Sequence, residues 1–246
     1  MDARDENARL VVAIDGPSGS GKSSVSKEVA RRFNLAYLDT GAMYRAVTWW
    51  CLHTQVDLSD SDAIVEATRS VPLDMGTDPN GERITVDGQD VRSEIRGDDV
   101  TNNVSAIATT VPAREVLVAM QRQIVADSGH RMVAEGRDIT TVVAPDATVR
   151  ILLTASEEAR LARRGKQLGA AASSNLKDQV VGRDAKDSTV VNFTEAQDGV
   201  HLLDSSELSM EQTVQGVIDL VIRTTETMTE RAAGPDQSPG APAQSK

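Results

Sequence analysis

The chain has 246 residues, with 37 acidic and 26 basic side chains and a formal net charge of −11. That length suits one large domain or two small ones, and the acidic balance argues against a protein that tracks polymeric DNA or RNA along a basic stripe. The single cysteine, Cys51, excludes an intramolecular disulfide and a Cys-based zinc site. His53, His130 and His201 show no metal-ligand spacing. The longest apolar runs, such as 10–14, have about five residues, far short of the ~18 that span a bilayer. The polar, acidic N-terminus does not read as a signal peptide, so a soluble, cytoplasmic chain is expected. Aromatic residues make up 2% of the chain, which leaves the core to Val, Ile, Leu and Ala.

After a short polar lead (1–8), LVVAI at 10–14 reads as a buried strand, 22–33 as a helix and 35–39 as a second strand. Residues 42–55 are helical, with Met43, Val47 and Trp50 on one stripe, and 59–70 form a further helix. The character changes over 72–90, where ITVDGQD, with its Asp-Gly, predicts a hairpin. A long helix follows at 110–127, spaced by Val116, Met120 and Ile124. Strands are expected at 131–135, 148–155 and 200–205, and helices at about 156–168, 174–188 and 209–229. The segment 231–246 carries three prolines and no large apolar residue and reads as a disordered tail. No repeat of 20–50 residues is visible. Strands alternating with helices give an α/β fold, a parallel sheet covered on both faces, with a small insertion at about 70–100.

GPSGSGKS at 16–23 fits G-x-x-x-x-G-K-[ST] through Gly16, Gly21, Lys22 and Ser23, between a strand and a helix. Glycines let backbone N–H groups converge on phosphate oxygens, and the helix N-terminus adds positive potential. The expected ATP site is therefore Gly16, Pro17, Ser18, Gly19, Ser20, Gly21, Lys22, Ser23 and Ser24. Lys22 reaches the β- and γ-phosphates, and the Ser23 hydroxyl holds Mg²⁺. A GTPase would carry N-K-x-D, but the nearest string, at 175–178, has its lysine misplaced. The marks of a transporter-type ATPase are also missing. This leaves a small kinase acting on a small acceptor; a nucleotide-binding switch without turnover is the rival from another class. A phosphate-bearing acceptor needs fixed cations, which arginine supplies as a bidentate fork. Arg45, Arg114, Arg137 and Arg183 are candidates. Arg160, Arg163 and Arg164 share a helix face ahead of GAAASS (169–174), a pattern suited to a flap that closes over phosphates.

GPSGSGKS, YLDTGAMYR, EIR (94–96), AEGRDITTVVAPDA and RDAKDS, in this order from about 10 to 227, closely resemble the bacterial cytidylate kinases. The resemblance implies one nucleoside monophosphate kinase domain over 9–230. Its P-loop core would be 9–39, 129–155 and 198–230; its acceptor region about 40–128 with the insertion at about 70–100; its helical lid about 156–190. It implies phosphoryl transfer from ATP to CMP or dCMP with Mg²⁺, by a monomer with no nucleic-acid or membrane partner. Position by position, it sets the CMP phosphate against Arg45 and Arg137, with Thr40 and Tyr44 lining that pocket. Ser105, Arg114 and Asp138 would read the cytosine, and Arg183 and Asp187 would hold the ribose. Arg163 and Arg164 would be the lid arginines at the transferring group, and Asp39 would order Mg²⁺ waters. Cytosine offers an N4 donor to a carboxylate and N3/O2 acceptors to an arginine, whereas uracil would turn O4 toward Asp138. Sister kinases for AMP, UMP or shikimate are the nearer rivals. Two positions depart from the family pattern. Thr140 stands where glycine is usual, and Val190 stands where an arginine usually meets the acceptor phosphate. Arg183 and Asp187 stand at helical spacing, and if the helix carries on, Val190 faces the same cleft at i+7.

Overall fold

All six residues of the first strand, β1 (Leu10–Asp15), are buried, and the alternation of their side chains organises the molecule. In a computed structural model that describes residues 8–168 and 181–233, Leu10, Val12 and Ile14 enter one core. They pack with Val25, Val29 and Phe33 of α1 (Lys22–Arg32) and its C-cap, and with Val214, Val217 and Val221 of α8 (Met210–Ala233). Val11 and Ala13 enter the other, with Met43 and Val47 of α2 (Thr40–His53) and Leu117 of α5 (Val111–Asp127). A strand buried on both faces reads as a continuous apolar run, as it does at 10–14.

Five parallel strands lie in the order β2-β6-β1-β7-β8: β2 is Ala36–Asp39, β6 Arg131–Gly136, β7 Val149–Thr154 and β8 His201–Asp204. The register sets Asp15 beside Gly136, and Asp39 beside Glu135, at one carboxyl edge. Ligands of open parallel sheets bind at that edge. After α3 (Ser61–Ser70), a separate antiparallel sheet is formed by β3 (Leu73–Met75), β4 (Ile84–Val86) and β5 (Gln89–Asp90). Its tight turn places Asp87 and Gly88 at φ 51 and 75, the two positive values a type I′ hairpin requires.

Three elements differ from expectation. A helix, α4 (Asp98–Thr109), follows the insertion and buries Val100, Val104 and Ile107; it packs on α2. Its Asn- and Thr-rich polar face has low helix propensity, which hid the i, i+4, i+7 apolar spacing. The last helix runs to Ala233, three residues into the segment expected as tail; 234–246 lie outside the described residues. Of the helix expected at 174–188, the described part is α7 (Arg183–Asp187). The flap string 169–174 also lies outside the described residues. Among the described residues, no helix is long and apolar enough to cross a membrane.

The chain after β6 makes a single wide helical turn, Ile139–Val143. The buried Asp15 carboxylate fixes its start, accepting from the Ile139 and Thr140 N–H groups, both at 2.8 Å, and from Thr140 Oγ1 at 2.6 Å. Thr140 is thus put to use, its hydroxyl supplying a third donor to a carboxylate that burial drives toward the neutral form. Replacing Thr140 by valine, which keeps the shape and removes the donor, should cost about 1–3 kcal/mol. Urea unfolding of the two proteins measures this, and a cost near zero means the hydroxyl is not bonded.

Candidate active site

Chain reversal after β1 needs a backbone that only glycine allows. Gly16 sits at φ 151, and a Cβ there would meet the Leu153 carbonyl oxygen at 2.1 Å. The loop closes on Gly21, at φ 92, which is the N-cap of α1 and has no side chain to occupy the first-turn N–H groups. Those groups and the helix dipole face the cleft, ready for an anion. Lys22 folds back over the loop, its Nζ donating to Pro17 O at 2.9 Å. Burial lowers its pKa from the ordinary lysine value, while the Glu135 carboxylate opposes the shift.

The loop forms one wall of a cleft of ≈ 360 Å³. Its other walls carry Asp39, Arg45, Arg96, Thr101, Glu135, Arg137 and Arg164. The structure therefore brings Ser18, Gly19, Gly21, Lys22, Ser23 and Ser24 together with Arg45, Arg137 and Arg164. Arg45 is aimed by two acceptors, Ile95 O at 3.1 Å and Thr101 Oγ1 at 3.0 Å. Thr40 donates to Glu135 O at 2.8 Å. Burial lowers the pKa of Arg164, with Arg96 adding like charge.

Glu135 is the residue that sequence reading passed over. It is buried, takes the Tyr37 hydroxyl at 2.9 Å, and lies beside Asp39, Lys22 and Ser23. Burial, with the Asp39 charge, pushes its pKa up to about 7. Its position as the last residue of the expected strand 131–135, one strand away from Asp39, was the available signal. Asp39 has a second task as N-cap of α2, accepting from Ala42 N at 2.9 Å. The Ser23 hydroxyl and these two carboxylates form an all-oxygen set at the phosphate cradle, which fits a hard divalent cation that keeps several waters.

Arg137 is held on three sides. Its Nη1 donates to Asp184 at 2.7 Å and its Nη2 to Ser18 Oγ at 2.8 Å, and its Nε forms an ion pair with Asp187 at 2.9 Å. Its face stacks on Phe193 at 4.4 Å. Asp187, expected at the ribose, is in this structure buried against Arg137. Arg183 opens α7, the helix that Asp187 ends. The three arginines of α6 (Glu157–Leu168) diverge. Arg164 lines the cleft. Arg163 does not: it donates to Ser20 O at 3.2 Å, Ser205 Oγ at 3.0 Å and the Ser205 and Leu208 carbonyls. It braces the helix to the loop. Arg160 donates to Ser18 O at 3.0 Å and to Asp184.

Of the expected base readers, Arg114 and Asp138 line a second pocket, of ≈ 380 Å³, and Ser105 does not. Arg114 pairs with the buried Asp138, donates to Ala108 O at 2.9 Å and lies 5.5 Å over the Tyr44 ring. Burial raises the Tyr44 phenol above its ordinary pKa. Ser105 stands on α4, which packs against α7. Val190 lines this second pocket with Val111, Val118 and Val142. The expectation that it faces the phosphate cleft is corrected: α7 stops at Asp187, and the Val190 N–H turns back to Asp187 O at 3.2 Å. Helical spacing no longer applies beyond that point.

Residues 12–223 match the family model of the cytidylate kinases. The chain belongs to the cytidylate kinase family. It is 49% identical over 215 residues to a cytidylate kinase of Cutibacterium acnes, covering 86% of this chain and 96% of that one. It is 51% identical over 212 residues to one of Rhodococcus opacus, covering 83% and 91%. A gluconokinase structure from Sinorhizobium meliloti is similar in fold, with a TM-score of 0.50 at 15% identity, covering 91% of this chain and 98% of that one.

In this family member, the raised Glu135 pKa carries a sign. Between the ordinary value of 4.5 and about 7, the folded chain holds a proton that the unfolded chain has released. Stability from this group is full below about 4.5 and is lost as pH rises through 7. Glu135→Gln has no such proton, so its stability relative to wild type should rise from pH 5 to pH 8. Urea unfolding at each pH measures the difference, and a flat difference means Glu135 keeps its charge when buried.

Proposed function

We infer that this chain transfers the γ-phosphoryl group of ATP to CMP or dCMP, giving ADP and CDP or dCDP. The observation that carries this reading is the single cleft in which a phosphate cradle with its lysine faces Arg45, Arg137 and Arg164. Two phosphate-bearing substrates repel each other, and such a cleft offsets that repulsion with fixed cations. In-line phosphoryl transfer asks little covalent chemistry of the protein: positioning and electrostatic stabilisation suffice. The loop N–H groups and Lys22 hold the β- and γ-phosphates. Arg45 and Arg137 hold the acceptor phosphate, and Arg164 meets the group in transit. Mg²⁺ would be held by Ser23, with Asp39 and Glu135 through water, and when bound it neutralises charge on the phosphates. Arg114 and Asp138 read the base, and Ser105, Tyr44, Thr40, Arg183 and Asp187 complete the acceptor site. We take the enzyme to act as a monomer. The substrates are free nucleotides of the cytoplasm, where we place the reaction.

Lys22→Ala should reduce kcat at least a hundredfold, about 2.7 kcal/mol of barrier, with the thermal unfolding midpoint little changed. Retention of a tenth or more of kcat counts against the cradle role.

ADP release measured with CMP, dCMP, UMP and AMP tests the reaction. CMP and dCMP should be preferred, and release without an acceptor should be slow; acceptor-independent turnover would sink the reading. With Asp138→Asn, kcat/KM for CMP should fall at least tenfold, while UMP loses less, because the amide can offer a donor to uracil O4. Equal losses on both would assign Asp138 to holding Arg114 in place.

A further inference from the structure

One carboxylate joins three parts of the chain that are far apart in sequence. Asp184 Oδ1 accepts the Ser18 N–H at 3.1 Å and Arg137 Nη1 at 2.7 Å, while Oδ2 accepts Arg160 Nη1. The same two arginines return to Ser18: Arg137 to its hydroxyl and Arg160 to its carbonyl. Every polar atom of Ser18, at the tip of the phosphate loop, is therefore engaged with this group. The helix bearing Arg160 also lies directly on the loop. A Cβ at Gly19, whose φ is 79, would come within 2.9 Å of the Arg160 carbonyl oxygen.

We propose that Asp184 is a positioning residue for phosphoryl transfer, clasping α6 and Arg137 onto the phosphate loop so that their cationic groups are in place when the nucleotides arrive. Nothing in the acceptor-site assignment above requires Asp184; the inference rests on that reading of the cleft and deepens it. A guanidinium has five N–H groups. Arg137 engages Asp184 through Nη1, Ser18 through Nη2 and Asp187 through Nε, which leaves one N–H on each Nη, and the residue lines the cleft. Such an arginine is aimed before substrate binds. Without Asp184, it would lose one of the two carboxylates that fix its plane, and Arg160 would lose its ion pair across the loop. The carboxylate is ionised for this task. Burial raises its pKa, but the Arg137 charge, the Ser18 N–H and Arg160 outweigh burial and hold it below the ordinary range.

A merely structural ion pair and a positioning residue differ in what they move. Asp184→Asn keeps the shape and removes the charge. Preorganised groups act in the transition state more than in ground-state binding. The expected result is a fall in kcat of tenfold or more, with KM for ATP and for CMP each changed less than threefold. Asp184→Glu, which restores the charge, should recover part of kcat. In Asp184→Asn/Arg160→Gln the kcat loss should be smaller than the product of the two single losses, because both changes break one clasp. The double variant also removes one charge of each sign, so it remains a test if the buried arginines prevent Asp184→Asn from folding. A kcat loss below tenfold in the single variant or, where only the double variant folds, in the double variant, overturns the proposal. So does a loss carried by KM, or independent effects that multiply. The wild-type rate with CMP tests the reaction itself. The ratio of variant to wild type tests Asp184, with whichever acceptor the wild type uses.

Discussion

Buried charge must be paired, and this constraint shapes the cleft. Arg137, Arg160, Asp184 and Asp187 expose little of their side chains to solvent. Alone, any of them would pay a desolvation cost of several kcal/mol. Together they are neutral: two guanidiniums against two carboxylates. The loop tip at Ser18 fits only because its N–H, carbonyl and hydroxyl complete the set. The position of α6 over the loop, and of α7 against Arg137, follows from satisfying these groups together.

The same logic operates at the carboxyl edge of the sheet. Parallel pairing sets Asp39 beside Glu135, two acids that would repel if both were ionised. Lys22, the Tyr37 hydroxyl and a raised Glu135 pKa relieve that repulsion. One strand over, Asp15 turns away from the cleft and takes the N–H groups of the turn that follows Asp138. The strand that launches the phosphate loop therefore also fixes the loop that carries Arg137 and Asp138.

What could be read from the sequence was what local backbone chemistry dictates. The GPSGSGKS turn, the Asp-Gly hairpin and the buried strand at 10–14 each depend on residues adjacent in the chain. The arginines at 45, 137 and 164 were legible through the resemblance, and the structure places all three around one cleft. Asp184 and Glu135 were not singled out, although both lie inside quoted strings. Their significance comes from partners on other elements: Ser18 for one, Asp39 and Lys22 for the other. The α4 helix was hidden by a polar face of low propensity. Val190 was misplaced because helical spacing was carried past Asp187, where the helix had already ended. The divergence of Arg160, Arg163 and Arg164 was illegible for a related reason. Spacing shows that three side chains share a face, but the loops packed on that face decide where each one goes.

A cleft that must attract two polyanions in an acidic chain cannot simply gather free cations, because an uncompensated cluster would destabilise the resting fold. The arrangement here meets both demands by tying its guanidiniums to acceptors in the wall of the cleft. Arg45 donates to Ile95 O and Thr101 Oγ1. Arg137 lies between two carboxylates, and a guanidinium so placed loses long-range field but gains a fixed plane.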